Sequence, residues 1–182
     1  MNSGTQRENE VSIRFCGLGG MGVVLSSIIL GKAAIYDNKN AIQTQSYGPE
    51  QRGTRVKSDL IISESDNISY PTDQKVNILV AFSNDAFQFY KDKVKKSGLY
   101  FINSDLIKDI PKPNSYTLIP ASSLAEELKN ERLINIIMLG AFIKKTNLVS
   151  NKAILASISN SVPFRFKKLN LKAYKRGNEF LD

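Results

Sequence analysis

The sequence predicts an α/β protein: a three-layer α/β/α arrangement around a mixed, mostly parallel sheet, with a helical C-terminal region. Three observations carry this. Apolar runs of strand length alternate with helix-period segments as far as Pro120. A glycine cluster, GLGGMG at 17–22, stands where the first strand hands over to the first helix. From Ser122 onward the apolar spacing is helical throughout.

Residues 11–16 (VSIRFC) read as a strand. Residues 22–36 (GVVLSSIILGKAAIY) read as a helix apolar around most of its circumference, the pattern of a helix buried against a sheet. AIQTQS, 41–46, is a second strand. In TRVKSDLIIS, 54–63, Val56, Leu60 and Ile62 share one face while Arg55, Lys57 and Asp59 share the other, the alternation of a half-solvated strand. Only YGPEQRG separates these two strands, whereas a parallel crossover needs about a dozen residues. They are therefore expected to pair antiparallel, which makes the sheet mixed. VNILVAF, 76–82, is a near-continuous apolar strand, with Asn84 or Asp85 as cap of a helix DAFQFYKDKVKK. GLYFIN and SYTLIP add two strands. SSLAEEL offers a capping-box start, and ERLINIIMLGAFIKKT, NKAILASISNSV and LKAYKRGNEFL follow as helices.

A chain of 182 residues, 42% hydrophobic and 23% charged, suits one domain over 1–182, with the polar residues 1–10 expected to be flexible. The N-terminal segment lacks the pattern of a secretory signal, and no apolar run approaches the roughly 20 residues that span a bilayer, so a cytoplasmic location without a membrane span is expected. Cys16 is the single cysteine and histidine is absent, which excludes a disulfide, a Cys/His metal cage, a protein-held iron–sulfur cluster and histidine acid–base chemistry. Cys16, ending an apolar strand, reads as a small buried residue. Charge is uneven. Residues 131–182 hold 10 basic and 3 acidic side chains, whereas residues 1–130 hold 15 and 14. Such a basic block fits a solvated helix face, or a partner that is acidic or polyanionic.

Gly17-x-Gly19-x-x-Gly22 matches the dinucleotide fingerprint, in which glycines let phosphate approach backbone N–H groups at a helix start. Gly19 is where close backbone approach or positive φ is expected. The fingerprint also requires an acidic residue ending the second strand. Asp37 has the right spacing but precedes that strand, which ends in Gln45 and Ser46, so NAD or FAD binding is disfavoured. An anion loop of another kind and a purely structural turn are the readings left. In SYGPEQRGTR, 46–55, Gly48 and Pro49 force a turn and Gly53 ends it, and Glu50, Arg52 and Arg55 are more charge than a turn needs. If the strand before this segment runs parallel to the first, both loops open on one rim of the sheet, where α/β ligands bind.

These residues together resemble the gamma subunit of 2-oxoacid:ferredoxin (acceptor) oxidoreductases, the pyruvate/ketoisovalerate oxidoreductase gamma-type domain. GLGGMG, YGPEQRG and TRVKSDLIIS carry the resemblance, supported by Asn135 with Leu139-Gly140-Ala141 and by Asn170-x-x-Ala173-Tyr174-x-x-Gly177. YGPE, with SDL at 104–106, is more similar to the 2-oxoglutarate branch. The resemblance implies a heteromeric enzyme that converts a 2-oxoacid and coenzyme A to acyl-CoA and CO2. Its alpha, beta and ferredoxin-like subunits carry thiamine diphosphate, Mg2+ and the iron–sulfur clusters, and electrons leave to ferredoxin or another acceptor. On this resemblance the chain alone holds no cofactor and no catalytic residue. Gly17, Gly19, Gly20, Met21 and Gly22 are implied to help bind coenzyme A. Tyr47, Gly48, Pro49, Glu50, Arg52, Gly53, Arg55 and Asn135 are implied to form an active-site rim or subunit interface. The family usually has glutamine where this chain has Met21, which removes an amide donor. A homodimer of the isolated chain is compatible with this reading. The rivals are a free-standing nucleotide-binding oxidoreductase and a nucleic-acid module using FRFKK at 164–168. Against the latter, Ile154, Leu155, Ile158 and Leu169 read as core or docking positions.

Overall fold

A computed structural model describes residues 10–47, 54–65, 68, 75–110 and 116–181. Its strands are β1 (Glu10–Leu18), β2 (Asn40–Tyr47), β3 (Arg55–Ser63), β4 (Val76–Ala81), β5 (Val94–Asn103) and β6 (Tyr116–Ile119). The helices are α1 (Val23–Tyr36), α2 (Asn84–Tyr90), α3 (Ala121–Glu127), α4 (Ile134–Thr146), α5 (Asn151–Ser161) and α6 (Phe164–Glu179). The sheet order is β2-β3-β1-β4-β5-β6. β3 runs antiparallel to both neighbours, as its short link to β2 requires, and the β1-β4, β4-β5 and β5-β6 pairs are parallel. The expectation for residues 1–10 falls mostly outside the described residues, although Glu10 already pairs with Ser63 in β1.

The layers are unequal. On one face Ile13, Phe15, Leu60, Val80 and Phe101 pack with α1, α3, α4 and α5, and α6 adds Ala173 and Tyr174. On the other, Leu79, Ala81, Tyr100 and Ile102 are covered by Phe87 and Tyr90 of α2. The chain leaves β1 through α1 toward one edge of the sheet and leaves β4 through α2 toward the other. Right-handed crossovers in opposite directions put the two helices on opposite faces.

Five local expectations are corrected. β3 is not half-solvated: Asp59 is 6% exposed because Arg14, its cross-strand neighbour, meets it with two hydrogen bonds of 2.6 and 2.8 Å. A polar residue on an alternating strand reads as solvent-facing unless its buried counter-charge on another strand is known. The helix expected over DAFQFYKDKVKK ends at Tyr90, and Val94 instead joins β5, opposite Val76. Ser83, not Asn84 or Asp85, holds the N-cap position of α2. The SSLAEEL capping box does not form, since α3 starts at Ala121 and Asp105 accepts the N–H and hydroxyl of Ser123 at 2.7 and 3.1 Å. The last helix also begins earlier than expected, at Phe164, taking in the FRFKK segment.

Candidate functional site

The glycine segment completes β1 and turns into α1. Gly17 fits tightly, as a Cβ there would lie 3.0 Å from Val23 and 3.1 Å from Phe82. Gly19 N–H donates to Thr54 O (3.0 Å), Met21 N–H to Leu18 O (3.1 Å), and Leu18 N–H to the Met21 sulfur (3.4 Å). Positive φ falls at Gly20 (+97°) and Gly22 (+74°), not at Gly19 as the fingerprint spacing suggests, because the turn reverses between the two anchored N–H groups. Gly22 is the N-cap of α1. Among the described residues that helix start has no side-chain cap, and its first turn has no acidic residue, so its N–H groups and the positive end of the helix dipole favour an anion there.

The loop stands at the topological switch point. β1 and β4 are adjacent and parallel, and the chain leaves them for opposite faces, which opens a crevice at their C-terminal ends. β2 runs in the direction of β1, so its C-terminal end at Tyr47 lies on the same rim, as anticipated. Beside the loop is a cavity of about 540 Å3. Gly20, Met21, Leu106 and Ile134 supply its apolar wall, and Ser122, Ser123, Glu126, Glu131 and Arg132 its polar one. Asn103, at the end of β5, donates to Ser122 Oγ at 3.0 Å and so fixes the start of α3. Ser83 Oγ and Asn103 Oδ1 are buried without a hydrogen-bond partner among the described residues. Most of this wall was invisible in the sequence, since it joins the β5–β6 connection to the α3–α4 segment. The SDL tripeptide, which holds Asp105 and Leu106, was the only signal toward it.

Two residues expected on the rim are placed differently. Asn135 is 2% exposed and sits beneath the loop: its Nδ2 is 3.5 Å from Gly22 O, and a Cβ on Gly22 would come within 2.5 Å of it. It backs the loop from inside rather than presenting a surface. Arg55 pairs with Leu18 at the rim, but its side chain points to the α2 face, 3.6 Å from Asp85 and 4.3 Å from the Phe89 ring centre. The glycine loop turns to the other face. Gly48, Pro49, Glu50, Arg52 and Gly53 lie outside the described residues, as does the Tyr47 side chain. Asp37, the misplaced ribose ligand, accepts the N–H and hydroxyl of Ser150 at 2.5 and 2.7 Å, tying α1 to α5.

The side chains among the described residues do not supply ligands for an iron–sulfur cluster. Cys16 is fully buried, and burial pushes its thiol up, away from the thiolate a cluster needs, with Arg14 opposing this and Asp59 adding to it. No grouping of three or more His, Cys, Asp or Glu able to hold a metal occurs among the described residues. No helix among them is long and apolar enough to cross a membrane.

Fold and site therefore define an α/β protein with a glycine loop and a cavity at the switch point of a mixed sheet. The chain belongs to the pyruvate ferredoxin/flavodoxin oxidoreductase family, which matches residues 12–180, and within it to the gamma-type subunits of 2-oxoacid:ferredoxin oxidoreductases. It is 42% identical over 172 residues to the 2-oxoglutarate synthase subunit KorC of Methanocaldococcus jannaschii, covering 92% of this chain and 91% of that one. The crystal structure of the gamma subunit of a keto/oxoacid ferredoxin oxidoreductase from Geobacter sulfurreducens is 36% identical and matches with a TM-score of 0.80, over 93% of this chain and 96% of that one. The fold also matches, at a TM-score of 0.81 and 22% identity, 95% of this chain to 31% of a longer chain of the Magnetococcus marinus 2-oxoglutarate:ferredoxin oxidoreductase, solved with 2-oxoglutarate, coenzyme A and succinyl-CoA bound.

Proposed function

We propose that this chain is the gamma subunit of an enzyme acting on 2-oxoglutarate, that its glycine loop receives the phosphates of coenzyme A, and that it closes over an active site held by other subunits. The complex would convert 2-oxoglutarate and coenzyme A to succinyl-CoA and CO2, passing both electrons to oxidised ferredoxin and releasing the thiol proton to solvent. The likeness to KorC supports the substrate. On this reading the iron–sulfur clusters fall to the partner subunits, since a single cysteine cannot ligate one, and the family resemblance places thiamine diphosphate and Mg2+ on the alpha and beta subunits.

The observation that carries the coenzyme A assignment is the uncapped start of α1 behind two positive-φ glycines. Gly19 and Met21 N–H groups are spent inside the turn. The donors for an anion are those of Gly20 and of the first turn of α1, where backbone amides and helix dipole act together. Asn135 holds the loop from beneath. The neighbouring cavity carries two carboxylates, Glu126 and Glu131, against one cation, Arg132. That charge suits the neutral arm of the ligand rather than its phosphates, and Met21, Leu106 and Ile134 give the arm an apolar wall.

The test is steady-state kinetics of the reconstituted complex. Gly20→Ala strains the turn without a steric clash in the subunit, since nothing lies within 4 Å of the added Cβ. Loss of one charge-assisted hydrogen bond, about 1.5–3 kcal/mol, should raise the coenzyme A KM roughly tenfold or more and leave that for 2-oxoglutarate unchanged. Met21→Gln restores the family's amide and should be tolerated. A lower coenzyme A KM in that variant would mean that the side chain, too, reaches the ligand. An unaltered coenzyme A KM in an assembled Gly20→Ala complex would make the loop a structural turn and move the acyl-acceptor site to the partners.

A further inference from the structure

The α5–α6 corner belongs to no site described so far. Phe164 opens α6 directly after Pro163 and is 92% exposed; Phe166 is 37% exposed, with the Arg165 guanidinium 4.7 Å from its ring centre. Arg165, Lys167 and Lys168 make no ion pair with a carboxylate among the described residues, and residues 132–178 contain no Asp or Glu at all. The far end of the same helix is different: Arg176 meets Glu127 at 3.0 Å and Lys175 meets Glu179 at 3.5 Å. The corner is also the start of a 16-residue helix that has no side-chain cap and no acid in its first turn, so the dipole adds positive charge there. From α1 the Tyr36 side chain (46% exposed) reaches the last turn of α5, where its hydroxyl accepts from Asn160 Nδ2 at 3.2 Å.

We propose that this corner is a docking surface for another subunit of the same oxidoreductase, one presenting an apolar pocket for Phe164 rimmed by Asp and Glu. Burying a phenylalanine removes a large apolar area from water, a gain forgone here in the isolated chain. An all-cationic surround selects an acidic partner and excludes a second copy of the same basic corner. A protein fits better than a nucleic acid for two reasons. Phe164, Phe166 and the Tyr36 ring give the corner apolar surface that phosphates cannot use. The chain belongs to a family of multi-subunit enzymes, and its fold forms 31% of a longer chain in the Magnetococcus enzyme, where such a domain has further protein to meet. This inference rests on family membership and not on the coenzyme A assignment.

Two variants test it: the charge reversal Arg165→Glu with Lys167→Glu and Lys168→Glu, and Phe164→Ala alone. Both change exposed side chains, and thermal melting checks that each folds. The readout is the dissociation constant for the co-expressed partner subunits, from native mass spectrometry and titration at two salt concentrations, so that no turnover is needed. Wild-type assembly should weaken with salt. Each variant should bind roughly tenfold or more weakly, the loss typical of an interface anchor, with the charge reversal also losing the salt dependence. Folded variants that assemble as tightly as wild type would overturn the proposal. So would wild-type binding of a labelled RNA oligonucleotide that both variants lose while their assembly is unaffected.

Discussion

Glycine serves opposite purposes at two places in this molecule. In the loop after β1, Gly20 and Gly22 adopt positive φ, and a Cβ on Gly20 would meet open space. Where α4 crosses α6, Gly140 and Gly177 are helical, and the obstacle is the other helix: a Cβ on Gly140 would meet Tyr174 O at 2.2 Å, and one on Gly177 would meet Ile137 O at 2.0 Å. Gly20 is needed for backbone shape facing outward, Gly140 and Gly177 for backbone contact facing inward. The two helical motifs that carried the family resemblance, Leu139-Gly140-Ala141 and Asn170-x-x-Ala173-Tyr174-x-x-Gly177, thus include the two sides of one packing contact. Asn178 Nδ2 donates to Gly140 O at 3.4 Å across it. Resemblance in sequence marks packing as readily as it marks a ligand site.

The largest effect is expected at the crossing. Gly177→Ala sets a methyl group against backbone that has no rotamer with which to yield, so α6 must lift from α4; the cost should be about 3 kcal/mol or more, at the upper end of overpacking. Denaturant unfolding of the single chain measures it, and a variant as stable as wild type would mean that the helices separate freely. Gly22→Ala comes next, because it combines both kinds of constraint. Positive φ for alanine costs on the order of 1–3 kcal/mol, and the added methyl also meets the Asn135 side chain. Adding Asn135→Ala should recover only the steric share. Full recovery would show that φ is unimportant there.

The smallest effect is a pH dependence where α6 meets the start of α5. Burial pushes the Tyr174 hydroxyl up to about 12, and it donates to Asn151 Oδ1 at 2.5 Å. The folded chain therefore holds this proton after the unfolded chain, with an ordinary tyrosine near pH 10, has released it. The contribution is complete below about pH 10 and is lost as the pH rises toward 12. Tyr174→Phe should flatten the fall in melting temperature across that window while lowering stability at neutral pH through the missing hydrogen bond. An unchanged alkaline slope would assign the fall to other groups.

Local pattern was enough for the class of fold. Alternation identified β3, the short YGPEQRG link made the β2–β3 pair antiparallel, and the glycine cluster located the β1–α1 turn, because all three depend on residues near each other in the chain. The site was legible only on its glycine side. Leu106, Ser122, Glu126 and Arg132 reach the cavity from segments far along the chain, and nothing in their own neighbourhoods says so.

What the sequence determined by itself was therefore what short-range physics and composition control: strand and helix periodicity, the reversal at the glycines, the lack of histidine and of a second cysteine, and the basic C-terminal block. Only the tertiary structure decided which faces those elements bury. It paired Asp59 with Arg14, turned Arg55 toward α2, drew Asn135 under the loop and left Phe164 in the open. Each of these is set by the partner that arrives from another strand or helix, and a side chain's burial is a property of that partner as much as of the side chain itself.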